Sequence, residues 1–379
     1  MKPDLRSYFD AHIEDMAALT RELTEIESPT DDKAAVDRLG ARIAEELRAL
    51  GADLHIHPRA EVGDIIEARW NSDVPGRPLL FVCHMDTVHP LGAIAQNPIR
   101  LEDGKLYGPG VYDMKGSLTA VMAMVRGLRD LACFPRRPVI VLMTSDEETG
   151  SRHSRALIEG LATNAALALI MEPAMPDGSL KTWRKSVAHF VLRTYGIAAH
   201  AGGAHETGLN AIEEMAHHLL ALQSMTDYKV GTTVNVGVVR GGTRSNVVPD
   251  WCEAHIDARA MTQAEVNRLT QYIYGLKPIL PGARIAVEGG FDRPPMERND
   301  QMVKTFEQAR QIGAAYGLDL RESGTGGASD GNYTAAIGTP TLDGLGPMGD
   351  GAHSEREYVL VSSLAWSATL LAALVLDWP

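Results

Sequence analysis

The sequence predicts an α/β protein built on a mostly parallel sheet flanked by helices, with a second, smaller α/β unit inserted into it. Three observations predict this. Continuous apolar runs at residues 79–83, 139–143 and 166–171 have the character of strands buried on both faces. A helical stretch at 117–131 lies between the first two, and strands that alternate with helices favour parallel pairing. After Pro173 the pattern changes, and it returns to helix, glycine-rich loop and helix from about Met296.

Taken in order, Leu5, Phe9, Ile13, Met16, Leu19, Leu23 and Ile26 recur at helical spacing, and Ser28-Pro29-Thr30-Asp31 breaks the run. Val36, Leu39, Ile43 and Leu47 mark a second helix that Gly51 is placed to end. The three buried strands and their helix follow. Met175-Pro176-Asp177-Gly178 reads as a linker. Beyond it, 187–195, 232–239 and 251–259 read as strands, and 209–222 and 262–274 as helices. Phe291-Asp292-Arg293-Pro294-Pro295 reads as the exit linker. The expectation is one domain made of residues 1–177 and 294–379, and an inserted domain of residues 178–293.

Length and composition fit this division. The chain has 379 residues, more than one ordinary core accommodates. It is 45% hydrophobic and 22% charged, as globular proteins are. No apolar run reaches the roughly 18 residues of a membrane span. The start, Met1-Lys2-Pro3-Asp4, is polar and lacks the apolar segment of a signal peptide, so a cytoplasmic location is expected. Cys83, Cys133 and Cys252 are scattered, which argues against a disulfide framework or a thiolate zinc site. The net charge of −13 argues against nucleic-acid binding but permits an anionic small-molecule substrate near metals or arginines.

Acidic and histidine residues gather where strands end. His84-Met85-Asp86 closes the first buried strand, Asp113 precedes the helix, Asp146-Glu147-Glu148 follows the second strand, and Glu172 ends the third. In open α/β sheets, sites form outside the carboxyl ends of strands. Imidazole and carboxylate are zinc ligands. His84 reads as a ligand, with Asp86 as the acceptor that orients its ring. Asp113 can bridge two metals through its two oxygens. Glu147 and Glu148 point apart on an extended backbone, so one can bind metal while the other faces a water as general base. Glycines 324, 326, 327 and 331 invite a phosphate-loop reading, but the lysine of that motif is missing.

The runs Cys83-His84-Met85-Asp86-Thr87-Val88, Gly108-Pro109-Gly110 through Asp113-Met114-Lys115-Gly116, and Asp146-Glu147-Glu148-Thr149-Gly150-Ser151 resemble the co-catalytic zinc exopeptidases. That family includes glutamate carboxypeptidase, aminoacylase, acetylornithine deacetylase and succinyl-diaminopimelate desuccinylase. Glu172-Pro173, Ala199-His200-Ala201-Gly202, Ser245-Asn246-Val247-Val248-Pro249 and Gly326-Gly327 resemble the bacterial glutamate carboxypeptidases of the carboxypeptidase G type. Cys83 stands where that subgroup often has serine, and Ser117 where glycine is common; neither position would touch a metal.

The resemblance implies a zinc-exopeptidase-like catalytic domain and a lid and dimerisation domain with an antiparallel sheet and two helices. It implies two zinc ions per subunit, replaceable by cobalt or manganese. His84 and Glu172 would hold one, Glu148 and His353 the other, with Asp113 shared and Glu147 as general base. His353 is selected by the resemblance alone. His200 would reach the neighbouring subunit of a homodimer and stabilise an oxyanion. Asn246 would help hold the substrate, Gly326 and Gly327 would line its pocket, and Arg259 would pair with its carboxylate. The implied reaction is hydrolysis of the amide bond of a C-terminal or N-acylated amino acid. The alternatives are an N-acyl-amino-acid deacylase and, from a different class, a catalytically silent dimeric binding protein.

Overall fold

The structure, a computed structural model, describes residues 2–379; Met1, first residue of the expected catalytic domain, lies outside them. The described residues divide into two units. One comprises residues 2–182, Arg298–Gly324 and Ser329–Pro379; the other comprises Trp183–Glu297 and Thr325–Ala328.

The first unit is organised by an eight-stranded sheet in the order Asp53–His57, Ile65–Trp70, Val139–Thr144, Leu79–His84, Leu167–Ile170, Thr341–Asp343, Leu180–Arg184, Glu322–Thr325. The four strands from Val139–Thr144 to Thr341–Asp343 pair in parallel. Antiparallel pairs extend the sheet on either side of them. The apolar runs follow from burial on both faces. Leu79, Phe81 and Cys83 enter a large core with the helices Lys33–Ala49, Gly116–Asp130 and Val361–Asp377. Leu80 and Val82 enter a second core with Ile158 and Ala162 of the helix Arg155–Thr163. Each of these strands runs towards one end of the sheet, so His84, Asp146 and Glu172 emerge at the same edge.

Three expectations need correction. The first helical run is two helices, Leu5–Ala11 and Ile13–Glu25, because the backbone leaves helical geometry at His12 (φ −107°, ψ 17°). The strands Asp53–His57 and Ile65–Trp70 went unread, because Glu67 breaks the apolar pattern; it is buried, paired with His57 and Arg69. Phe291-Asp292-Arg293 is not a linker but the end of the strand Arg284–Arg293, paired to Val187–Tyr195 through a register shift.

In the second unit, a four-stranded antiparallel sheet runs in the order Thr233–Gly241, Trp251–Arg259, Val187–Tyr195, Arg284–Arg293. Its inner face, with Phe190, Leu192, Ala254 and Ile256, packs with Met215 of the helix Ala211–Gln223 and Leu269 of the helix Gln263–Tyr274. Glu214, buried on the first helix, accepts hydrogen bonds from the amides of Ile279 and Leu280 and pairs with His218 at 2.8 Å. Among the described residues no helix is long and apolar enough to cross a membrane.

Candidate metal centre

His84 is the last residue of a fully buried strand. Its Nδ1 lies 2.9 Å from the carbonyl oxygen of Asp86, an acceptor, so Nδ1 carries the hydrogen. In a neutral ring Nε2 then presents a lone pair, and it lies 3.2 Å from Asp113 Oδ1 and 3.7 Å from Glu172 Oε1. A lone pair facing two carboxylate oxygens requires a proton or a cation between them. Burial opposes charge on this ring, but Asp113 and Asp86 outweigh it and hold its pKa well above the ordinary value.

The expected role of Asp86 is thus divided. Its main-chain carbonyl, not its carboxylate, receives the ring hydrogen; Oδ1 stands off at 3.6 Å. The buried carboxylate instead accepts from the amides of Glu147 (3.3 Å) and Glu148 (3.2 Å) and from the Thr30 hydroxyl (2.8 Å). Those amides are available because the backbone at Glu147–Thr149 forms a 3-10 turn, not the extended chain expected there. Gly150, in the left-handed region, closes the turn by donating to the Glu147 carbonyl. Asp146, also buried, ties the turn down by accepting from His153 N and Ser154 Oγ.

Asp113 sits at the shared corner. One oxygen faces His84 and the other lies 3.4 Å from His353 Nε2. Burial pushes its pKa up, but His353 and His84 pull it well below the usual carboxylate range. His353, on the loop after Gly349–Asp350, has a positive φ of 62° and is half exposed; its Nε2 also lies 3.2 Å from Glu148 Oε2. Asp113 and Glu148 together raise its pKa to about 11. Glu148 completes this second cluster. Its Oε1 is buried without a hydrogen-bond partner, and burial pushes its pKa up to about 7. Such an orphaned acceptor is costly unless a proton or cation meets it.

Two triads result, His84–Asp113–Glu172 and Asp113–Glu148–His353, each with ligand atoms within 4.8 Å of one another. The donor set is nitrogen and carboxylate oxygen, which suits a divalent cation of the zinc type. Glu147 is half-buried beside them on the same turn.

His200, Asn246, Arg259, Gly326 and Gly327 belong to the second unit. The short strand Ala199–His200 pairs with Val247–Val248, and Ala201 N donates to Asn246 O, which sets His200 and Asn246 side by side. Ring Nδ1 of exposed His200 accepts from Gly202 N and Gly203 N, so a neutral ring offers Nε2–H outward as a donor. An open groove of about 610 Å³ beside it is lined by Ala201, His205, Arg244 and Ser245. Arg259 makes a bidentate pair with Asp257, both bonds 2.8 Å.

Sequence reasoning passed over Lys185. Burial and the neighbouring Arg259 charge lower its pKa, and its side chain passes Gly326. Arg184 Nη1 donates to the Gly327 carbonyl at 3.4 Å. The adjacent basic pair in an acidic chain was the available signal. Glu357 was also missed; its partners are three main-chain amides and the distant His89, which leave no local motif.

Residues 80–377 match the sequence profile of peptidase family M20/M25/M40. The chain is 30% identical over 365 residues to carboxypeptidase G2 of Pseudomonas sp. (strain RS-16), covering 94% of this chain and 87% of that one. It is 32% identical over 257 residues to acetylornithine deacetylase of Shigella sonnei (strain Ss046), covering 61% and 64%. The fold is similar to that of the crystal structure of aminopeptidase PepT from Bacillus cereus, with a TM-score of 0.77 at 23% identity over 96% of this chain and 98% of that one. It is also similar to an M20 family metallo-carboxypeptidase from Sulfolobus solfataricus, with a TM-score of 0.66 at 17% identity over 95% and 98%. The chain belongs to peptidase family M20/M25/M40 and is a metal-dependent hydrolase of that family acting on peptide or amino-acid substrates.

Proposed function

We propose that this hydrolase is a two-zinc carboxypeptidase-like amidohydrolase, which releases an amino acid with a free carboxylate from a C-terminal peptide or N-acyl amide. The observation that carries the reading is the pair of triads sharing Asp113, with the orphaned oxygen of Glu148 inside one of them. His84 and Glu172 would hold one zinc, Glu148 and His353 the other, and Asp113 both. Cobalt or manganese would substitute. Bound zinc supplies Lewis acidity towards the amide carbonyl and the attacking water.

The remaining steps belong to the chain. Glu147 accepts the proton of the attacking water and returns it to the leaving amine. The Asp86 carboxylate fixes the turn that carries Glu147 by holding its amide. His200, its Nδ1 occupied by Gly202 and Gly203, donates Nε2–H to the developing oxyanion. Arg259 and Lys185 receive the substrate carboxylate, with Asn246 and the Gly326-Gly327 main chain completing the pocket. Arg259 would exchange its Asp257 partner for the substrate, so the fork is kept aligned before binding.

The second unit, on this reading, is a lid and dimerisation domain in a cytoplasmic homodimer, and His200 serves the partner subunit. Supporting this, the edge strand Thr233–Gly241 exposes Val238 and Val239, and the helix Ala211–Gln223 exposes Leu220 at 76%. The similarity to acetylornithine deacetylase favours one second reading, an N-acyl-amino-acid deacylase.

The test is a hydrolysis panel with zinc-loaded protein, crossing acyl group against leaving amino acid. Carboxypeptidase action predicts that turnover follows the leaving residue and its free carboxylate; dependence on the acyl group favours the deacylase. Glu147→Gln should lower turnover by about 10²- to 10⁴-fold. Unchanged kcat/KM in Arg259→Ala on free-carboxylate substrates would remove Arg259 from the site. No turnover of any substrate, with zinc bound, would favour the silent binding protein.

A further inference from the structure

Resting on the two-zinc reading, we propose that Glu357 is a positioning residue for the shared ligand Asp113, tying together the three chain segments that carry His84, Asp113 and His353. The carboxylate is fully buried. Oε1 accepts from the amides of Tyr112 and Asp113, both at 2.9 Å. Oε2 accepts from the Gly110 amide at 2.9 Å and lies 2.7 Å from His89 Nε2. The Glu357 carbonyl also accepts from Gly108 N.

These contacts form a concave nest of main-chain donors around one anion. Gly110 contributes its amide from the left-handed region (φ 72°), and a Cβ there would stand 2.6 Å from Thr87 Cγ2. The nest carries more than loop packing, because one of its donors is the amide of Asp113. Fixing that amide fixes the residue whose two oxygens face His84 and His353. The clamp is itself anchored close to the other ligands, four residues after His353 and, through His89, five residues after His84.

Only a carboxylate offers enough lone pairs for four donors. Glutamine keeps the shape but turns an NH₂ towards one pair of donors, so Glu357→Gln should release one side of the clamp. The experiment uses the full chain stripped of metal, titrated with Zn²⁺ against a chromophoric chelator, with Co²⁺ absorption spectra and metal-free melting curves alongside. Glu357→Gln should weaken Zn²⁺ binding by about 10- to 100-fold and change the Co²⁺ spectrum. His89→Ala should weaken it in the same direction, by about tenfold at most. His89→Gln, which can still donate, should recover most of that loss.

A folded Glu357→Gln protein with wild-type Zn²⁺ affinity and an unchanged Co²⁺ spectrum overturns the proposal. Should that variant fail to fold, wild-type affinity in His89→Ala overturns it instead. Asp113→Asn separates this inference from the reading beneath it. If Asp113→Asn weakens Zn²⁺ binding and the Glu357 and His89 variants do not, only the positioning role fails. If Asp113→Asn has no effect, the shared-ligand reading fails as well.

Discussion

Glu148→Gln should stabilise the metal-free protein and weaken its hold on zinc. The side chain is buried, with Oε2 3.2 Å from His353 and Oε1 meeting no donor. Burial raises its pKa from 4.5 to about 7. At about 1.4 kcal/mol per pH unit, this is about 3 kcal/mol of preference for the neutral form. A folded pKa raised above the unfolded one contributes stability that is full below about 4.5 and is lost as pH rises through about 7. Glutamine stays neutral throughout, so at pH 8 the metal-free variant should be more stable than wild type by about 3 kcal/mol. With saturating zinc that advantage is offset, because an anionic ligand is gone. Groups that merely orient ligands are worth about 10- to 100-fold in metal affinity, so a direct ligand should cost at least about 100-fold, or about 2.7 kcal/mol. Calorimetric unfolding at pH 8, with chelator and with saturating zinc, reads both effects. Wild-type zinc affinity in the variant would refute Glu148 as a ligand. A metal-free variant several kcal/mol less stable than wild type would refute the buried-charge argument.

Glu214→Ala leaves the buried His218 ring and the amides of Ile279 and Leu280 without their acceptor, so thermal unfolding should show a loss of about 3–5 kcal/mol. A loss below about 1 kcal/mol would contradict it. Burial pushes the Glu214 pKa up, but the Leu280 and Ile279 amides and His218 outweigh it, so its contribution is present above 4.5 and lost as pH falls through the lower folded value. Zinc uptake should release protons from His84 and His353, whose pKa values are raised in the metal-free site. Each displaced proton makes affinity rise about tenfold per pH unit. Calorimetric titration in buffers of different ionisation enthalpy counts those protons, and no release would contradict the ligand assignment.

The parallel strands were legible because burial on both faces makes 79–83 and 139–143 read as unbroken apolar runs. The clustering of His84, Asp113, Glu148 and Glu172 was legible for a related reason: acidic and histidine residues recur just at or after the ends of such strands or, for Asp113, just before a helix. His353 has no such context; its position depends on a loop and a positive φ, and resemblance alone selected it. The turn at Glu147–Thr149 was unreadable because distant groups shape it, the Asp86 carboxylate among them. The strand Arg284–Arg293 was hidden by Gly289 and Gly290 and by the polar residues of its last turn of register. Glu357 is held by main-chain amides and Lys185 lies beside a neighbouring charge, which no spacing rule records.

The central claim is a two-cation site with a shared carboxylate, and counting ions tests it most directly. Metal-free protein dialysed to saturation against zinc should hold two ions per chain, and Glu147→Gln should hold the same number. Asp113→Ala should lose tight binding at both positions. One ion or none in the wild type, or two retained at wild-type affinity by Asp113→Ala, would contradict the account.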